Sequence, residues 1–154
     1  MRVSVVVCTY AESMYPAFID AVESVLSQTY DDIELVIVVD GTESVYERTA
    51  AAYGDREKVT VLCNETNVGL SASRNVGIEH ATGDVIAFMD DDAVADDDWV
   101  AELVSTYERE GVEAVGGKMT PIWVAGAPAF LPAEFYWLVG VTHRGFPDAG
   151  PVRN

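Results

Sequence analysis

The sequence predicts an α/β fold, a mostly parallel central sheet with helices on both faces. Short runs of β-branched residues alternate along the chain with segments of helical apolar spacing, as they do when parallel strands are joined by helices. Several runs are apolar throughout rather than alternating, as strands covered on both faces are. A third observation locates a site. Thr9 and Tyr10, Asp40, Asn64 to Asn67, and Asp90 to Asp92 are polar residues that each end a strand. In such sheets ligands bind beyond the carboxyl ends of the strands, so these groups should converge on one rim.

Val3 to Cys8 is the first strand, continuous and rich in valine. After AESMYP, the spacing of Phe18, Ala21, Val22, Val25 and Leu26 predicts a helix. Ile33 to Val39 is a second buried strand, ending at Asp40-Gly41, and residues 43 to 53 are helical. Val59 to Cys63 is a third strand. A loop with Asn67 and Gly69 leads to a helix over Ser71 to His80, closed by Thr82-Gly83-Asp84. Val85 to Met89 is the fourth strand, Trp99 to Glu110 a helix, and Glu113 to Gly117 the start of a fifth strand. Phe135 to Val141 suits a short helix. Residues 121 to 141 hold three prolines and five aromatics and follow no single period.

The 154 residues fit one domain with a real core. Apolar residues make up 49%, too many for a disordered chain. The charge is -17, from 26 acids and 9 bases, and Lys58 and Lys118 are the only lysines. That argues against nucleic acid or anionic lipid as partners of the general surface. Self-repulsion at this charge is relieved by salt, whose screening length is roughly 3 Å at 1 M, so the composition points to a halophile. Cys8 and Cys63 sit in apolar runs and read as core thiols. The N-terminus lacks the pattern of a signal peptide, and no stretch is long and apolar enough to span a membrane.

Six aspartates fall in the twelve residues FMDDDAVADDDW. Asp96 to Asp98 precede Trp99 and read as a helix cap and surface charge. Asp90 to Asp92 follow the apolar VIAFM and leave a strand at the ligand edge. Crowded carboxylates repel, and a hard divalent cation, Mg²⁺ or Mn²⁺, relieves them. Asp90 and Asp92 would face the same way if the strand continued through them. Such a cation would also attract an anionic diphosphate. Arg74, expected in the first turn of a helix capped by Ser71, adds a guanidinium and free backbone N–H groups, unless it only pairs with a surface acid. Gly77 inside that helix suggests close packing on the sheet. Asp40 either contacts a nucleobase or shapes a turn.

The runs VSVVVCTYAE, IELVIVVDGT, NVGLSASRNVGIEHATGDVIAFMDDD and DDDWV, in this order, resemble family 2 of the nucleotide-sugar-dependent glycosyltransferases. These are inverting enzymes of the GT-A fold, whose nucleotide-binding half is Rossmann-like. The likeness covers roughly residues 2 to 118 and is strongest to archaeal enzymes that extend lipid-linked glycans. It implies that Thr9, Tyr10 and Glu12 contact the nucleotide. It implies that Asp40 reads the base, with uridine the family's commonest, and that Arg74 lies near base and diphosphate. Asp90 and Asp92 match the ends of the family's DxD, touching ribose and metal, with Asp91 in the variable middle. Ala11 stands where many members have asparagine. Residues 1 to 118 are then the donor domain, and 119 to 154 are expected to be the start of a truncated acceptor side.

The resemblance implies metal-dependent transfer of a sugar from a nucleotide diphosphate to an acceptor hydroxyl, with inversion. The acceptor would be a glycan or lipid-linked glycan, met in the cytoplasm or at its membrane face. The family's catalytic base comes from a later segment. Glu134 and Asp148 are the only acids after residue 113, and neither matches its pattern. The aromatic tail is expected to pack on further chain, or to touch a membrane. Two alternatives remain at this point. One is a module that binds nucleotide and metal without transfer. The other is a haloacid-dehalogenase-type phosphohydrolase, since Asp90 to Val94 fits DxDx(T/V), with Asp90 as nucleophile. That motif normally follows the first strand, however, and needs a downstream lysine and acidic pair.

Overall fold

The structure, a computed structural model, describes residues 1–143. It forms two compact units, Met1–Gly111 and Val112–Asn154. The first contains a four-stranded sheet of β1 (Val3–Thr9), β2 (Ile33–Asp40), β3 (Val59–Asn64) and β4 (Val85–Asp90). The order is β3-β2-β1-β4 and every pairing is parallel. The helices of this unit are α1 (Tyr15–Leu26), α2 (Glu43–Tyr53), α3 (Leu70–His80) and α4 (Trp99–Glu110). The expected α/β architecture is the one observed.

Strand alternation assigns the two faces. Val3, Val5 and Val7 of β1 and Leu35, Ile37 and Val39 of β2 share one core with Phe18, Ala21, Val22 and Val25 of α1, Val45 and Tyr53 of α2, and Val100 and Val104 of α4. The opposite face carries Val6, Cys8, Val36 and Val38, with Val76 of α3 against them. β1 and β2 are central and buried along almost all of their shared length, which is why their sequences are largely apolar, with Ser4 and Glu34 the buried polar exceptions before the strand ends. α3 reaches its face through Gly77. A Cβ there would lie 2.4 Å from Val6 Cγ1. The close packing expected of Gly77 is therefore present.

Three expectations need correction. Residues 113–117 form no strand, so the sheet has four strands among the described residues and β4 is an edge. Phe88 is accordingly exposed, although its neighbour Met89 is buried. Cys8 is buried as expected, but Cys63 is exposed, because it lies at the end of the other edge strand. Near the tail the helical turn is a 3₁₀ segment, Ala133–Val139. In this second unit Met119 and Thr142 exchange hydrogen bonds, and Trp123 packs edge-on to Tyr136 with centroids 5.1 Å apart. Among the described residues no helix is long and apolar enough to cross a membrane.

The edge of the sheet away from the strand carboxyl ends is held by one buried carboxylate. Glu34 accepts hydrogen bonds from Ser4 Oγ at 2.5 Å, Thr82 N at 2.5 Å, Thr82 Oγ1 at 2.8 Å and Arg2 Nη2 at 2.8 Å. It ties β1, β2 and the α3–β4 turn together.

Candidate functional site

Because all four strands are parallel, Thr9, Asp40, Asn64 and Asp90 end at the same edge. Register confirms it, with Asp40 beside Asn64 and Cys8 beside Asp90. The chain turns sharply after Asp40 at Gly41, whose φ is +78°. A Cβ at Gly41 would lie 2.2 Å from the Asn67 backbone nitrogen, so the turn and the loop before α3 fit only through glycine.

Asp40 is 5% exposed and faces that loop. Its Oδ1 accepts from Val68 N at 2.9 Å and Asn64 Nδ2 at 2.8 Å, and its Oδ2 from Gly69 N at 2.8 Å. Asn64 Nδ2 also donates to Ser73 Oγ at 2.9 Å. Burial pushes the Asp40 carboxyl up, but these donors, with the Ser73 hydroxyl, outweigh burial and hold it below the usual carboxylate range. α3 starts at Leu70, with Gly69 at its N-cap at φ +88° and no side chain of its own as cap. Ser71, expected as the cap, is inside the first turn. Asp40 does the equivalent work on the two preceding amides. Arg74 is then the fifth helical residue, two positions further into the helix than a cap at Ser71 implies. The first-turn amides of α3 have no intrahelical acceptor and open at this rim.

From α3, Arg74 reaches the end of β4. Its Nη2 lies 2.9 Å from Asp90 Oδ1, and its guanidinium carbon sits 5.4 Å from the Phe88 ring centre. The pair is half open to solvent, with side chains 34% and 60% exposed. Ion pairs this exposed are worth about 0–1 kcal/mol, so opening one for an anionic ligand costs little. β4 ends at Asp90, and Asp91 and Asp92 lie in a turn, so strand alternation does not align Asp90 with Asp92. Asp91 is half-buried. Burial pushes its carboxyl up, the neighbouring charges of Asp92 and Asp90 add to this, and Thr9 opposes it. The Thr9 hydroxyl itself is buried without a hydrogen-bond partner of good geometry. Cys8, next to these groups, is pushed up to about 11, chiefly by burial, so its thiol stays neutral.

Tyr10 and Glu12 follow β1 on the same side. Tyr10 is 58% exposed, and its carbonyl accepts from Thr42 Oγ1 at 2.5 Å. Glu12 accepts a hydrogen bond from Ser44 at the start of α2. The structure thus brings Arg74 to Asp90 and Thr9 to Asp91, places Asp92 in the solvent-facing turn beside them, and ties Glu12 to α2 and Asp40 to α3.

The residues present fit a hard divalent cation. The donors are carboxylate oxygens, which suit Mg²⁺ or Mn²⁺. Among the described residues no three His, Cys, Asp or Glu side chains form a ready cluster. Mg²⁺ commonly takes one or two carboxylates and completes its shell with phosphate oxygens and water, so a rim with few converging carboxylates is chemically compatible with it. The crowding of Asp91 with Asp90 and Asp92 also favours a cation at this rim.

Residues 4–136 match glycosyl transferase family 2. The chain belongs to glycosyltransferase family 2. A glucosyl-dolichyl phosphate glucuronosyltransferase of Haloferax volcanii is 54% identical over 149 residues, covering 96% of this chain and 48% of that protein. The glycosyltransferase AglE of the same organism is 31% identical over 133 residues, 82% of this chain and 42% of that protein. The chain thus spans about half the length of these relatives. TarS of S. aureus, solved with UDP-GlcNAc, superimposes with a TM-score of 0.71 at 23% identity, covering 83% of this chain and 37% of that one, and establishes the GT-A fold. A mannosyltransferase of Pyrobaculum calidifontis, solved with GDP-Man and Mn²⁺, gives 0.58 at 29% identity, over 69% and 32%. Family 2 membership sets aside the phosphohydrolase alternative. In this glycosyltransferase-family chain the triplet follows the fourth strand, not the first.

Sequence reasoning missed Ser73, Gly41 and Phe88. Ser73 is fully buried and accepts from Asn64 at the end of β3, and its place in the helix carries no signal of this. The Asp-Gly pair did signal a turn, but not the backbone lying against it. The second triplet was misread in part. Asp98 occupies the N-cap position of α4 without a side-chain bond, while Gln28 Oε1 accepts from Val100 N at 2.9 Å.

Proposed function

We propose that this chain is the donor-binding part of a glycosyltransferase that moves a sugar from a nucleotide diphosphate to an acceptor hydroxyl, with inversion. The observation that carries the reading is the Arg74–Asp90 pair at the strand ends, flanked by the open amides of α3 and the turn of Asp91 and Asp92. Residues 1–118 form the donor domain in this reading, and 119–154 begin the acceptor side. Thr9, Tyr10 and Glu12 line the nucleotide side, and Asp40 stands at the base end. Asp90 serves the ribose and shares the metal with Asp92.

A bound Mg²⁺ or Mn²⁺, held by Asp92 and Asp90, would neutralise charge on the diphosphate. Arg74 exchanges its exposed partner Asp90 for diphosphate oxygens and stabilises the charge that builds on them. The bond from the anomeric carbon to the diphosphate breaks as the acceptor oxygen bonds to the opposite face. The hydroxyl proton passes to a carboxylate that is not among the acids of this rim. The mannosyltransferase solved with GDP-Man and Mn²⁺ supports metal use, and the Haloferax relative supports a dolichyl-phosphate-linked acceptor. UDP is the proposed carrier. In this account the protein works in the cytoplasm of a halophile. Its charge-poor aromatic stretch, with Phe130 86% and Val124 fully exposed, touches the membrane that holds the acceptor.

The test is turnover in molar KCl with Mn²⁺. UDP-glucuronate is the first donor to try, against a dolichyl-phosphate-linked glucose. Transfer or donor hydrolysis that Asp92→Ala removes supports the enzyme. Metal-dependent UDP binding with neither reaction means a binding module, and absence of both rejects the reading.

A further inference from the structure

The three aspartates at the end of β4 open a bridge that is pinned from outside. β4 ends at Asp90 and α4 starts at Trp99, so residues 91–98 join the two elements. The bridge begins as a turn, closed by Ala93 N donating to Asp90 O at 3.2 Å. Beyond the turn it is bound to α1 and to the residues just past that helix. The buried Ser24 Oγ accepts from Ala95 N at 3.0 Å and donates to Ala21 O at 2.7 Å. Gln28 Nε2 donates to Asp96 O at 2.7 Å and to Ser24 O at 3.0 Å, and its Oε1 accepts from Val100 N at 2.9 Å. Thr29 N donates to Asp97 O at 2.8 Å. Ala93 and Ala95 pack against the main core, while Val94 between them is 51% exposed.

Both N–H bonds of the Gln28 amide and both roles of the Ser24 hydroxyl are thus engaged at this junction. Capping α4 accounts for Gln28 Oε1 alone. It explains neither the donors aimed at Asp96 and Ser24 nor the hydroxyl that holds Ala95. Ala95 follows Asp92 by three residues, a span of at most about 11 Å, so fixing Ala95 restricts where Asp92 can stand.

We propose that Ser24 and Gln28 are positioning residues for the cation. They hold residues 95 and 96 against α1, and so fix the turn that follows Asp90 and carries Asp92. The inference rests on the metal reading of the rim given above. Affinity for Mg²⁺ or Mn²⁺ then depends on two uncharged side chains that never touch the ion.

Two substitutions separate this role from a cap. Ser24→Ala removes the acceptor for Ala95 N and leaves the bond from Val100 N to Gln28 whole. Gln28→Glu keeps an acceptor for Val100 N but sets a carboxylate against the carbonyls of Asp96 and Ser24. Calorimetry in molar KCl measures UDP binding with and without Mn²⁺. With Mn²⁺, each variant should bind UDP about tenfold more weakly, the upper end of what one lost hydrogen bond costs. Without the ion, UDP affinity should match wild type. Glu34→Gln, a change at the far edge of the sheet, controls for lost stability and should keep the full Mn²⁺ effect. Equal weakening with and without Mn²⁺, or the same loss of the Mn²⁺ effect in Glu34→Gln, overturns the proposal. So does an unchanged Mn²⁺ effect in Ser24→Ala.

A ligand-free readout keeps the test separate from the metal reading. Hydrogen exchange of the Ala93 amide reports the turn itself. It should quicken about tenfold in both variants while the amides of β1 keep their protection. Unchanged Ala93 exchange overturns the proposal even if neither nucleotide nor metal binds. Should one variant fail to fold, the other carries both readings.

Discussion

Asp40 and Glu34 sit at opposite ends of β2, and each stays charged because hydrogen bonds outweigh its burial. For Glu34, burial pushes the carboxyl up, while donors on Ser4 and Thr82 and the charge of Arg2 bring it below the usual range. A carboxyl depressed in the folded state adds stability that is fully present above its unfolded value, about 4.3 for glutamate. That stability disappears as pH falls through the lower folded value. Glu34→Gln should cost about 2 kcal/mol at pH 7, since hydrogen bonds to a buried charge are worth about 1.5–3 kcal/mol each and the amide keeps some of them. It should also flatten the acid limb of stability below pH 4. Urea melts at pH 7 and pH 3 check both. An equal loss at the two pH values would mean the charge does not matter.

Among the elements, α3 does most to place the site, and its packing is strict. Gly77→Ala gains about 1 kcal/mol of helix propensity, but the added methyl meets Val6 at 2.4 Å. Val6 is fully buried and branched, with no room to retreat, and overpacking of this kind costs about 1–3 kcal/mol. The net effect should be a melting temperature lower by about 5 °C, read by circular dichroism in molar KCl. An unchanged or higher value would show that α3 can lift from the sheet. The same helix shows what a sequence hides. Its body was expected at residues 71 to 80, with its end marked by Thr82-Gly83-Asp84, but its start was not legible, because Asp40, about thirty residues earlier, holds the amides that precede it. α4 repeats the lesson with Gln28. β1 and β2 were legible as unbroken valine-rich runs. β4 read the same way, yet it lies at an edge, and nothing in VIAFM says which neighbours it will have. The polar strand ends were legible as one rim because parallel topology forces them together. The Arg74–Asp90 contact was not, since it depends on where α3 begins.

At the scale of the molecule, charge and site pull in opposite directions. A chain of net charge -17 repels a nucleotide diphosphate everywhere except where cations gather. Salt relieves the self-repulsion, so the melting temperature should climb steadily from 0.1 M to 2 M KCl, beyond the range where simple screening saturates other proteins. A flat response would contradict the halophilic reading of the composition. Salt also screens the long-range repulsion of the ligand, leaving the rim to act through contact. The most direct test of the account is therefore a linked titration in 2 M KCl, measuring UDP binding at increasing Mn²⁺ and Mn²⁺ binding at increasing UDP. The account predicts that each ligand tightens the other by the same factor, and that Asp92→Ala abolishes the linkage. UDP binding that is indifferent to Mn²⁺, or linkage that survives Asp92→Ala, would contradict it.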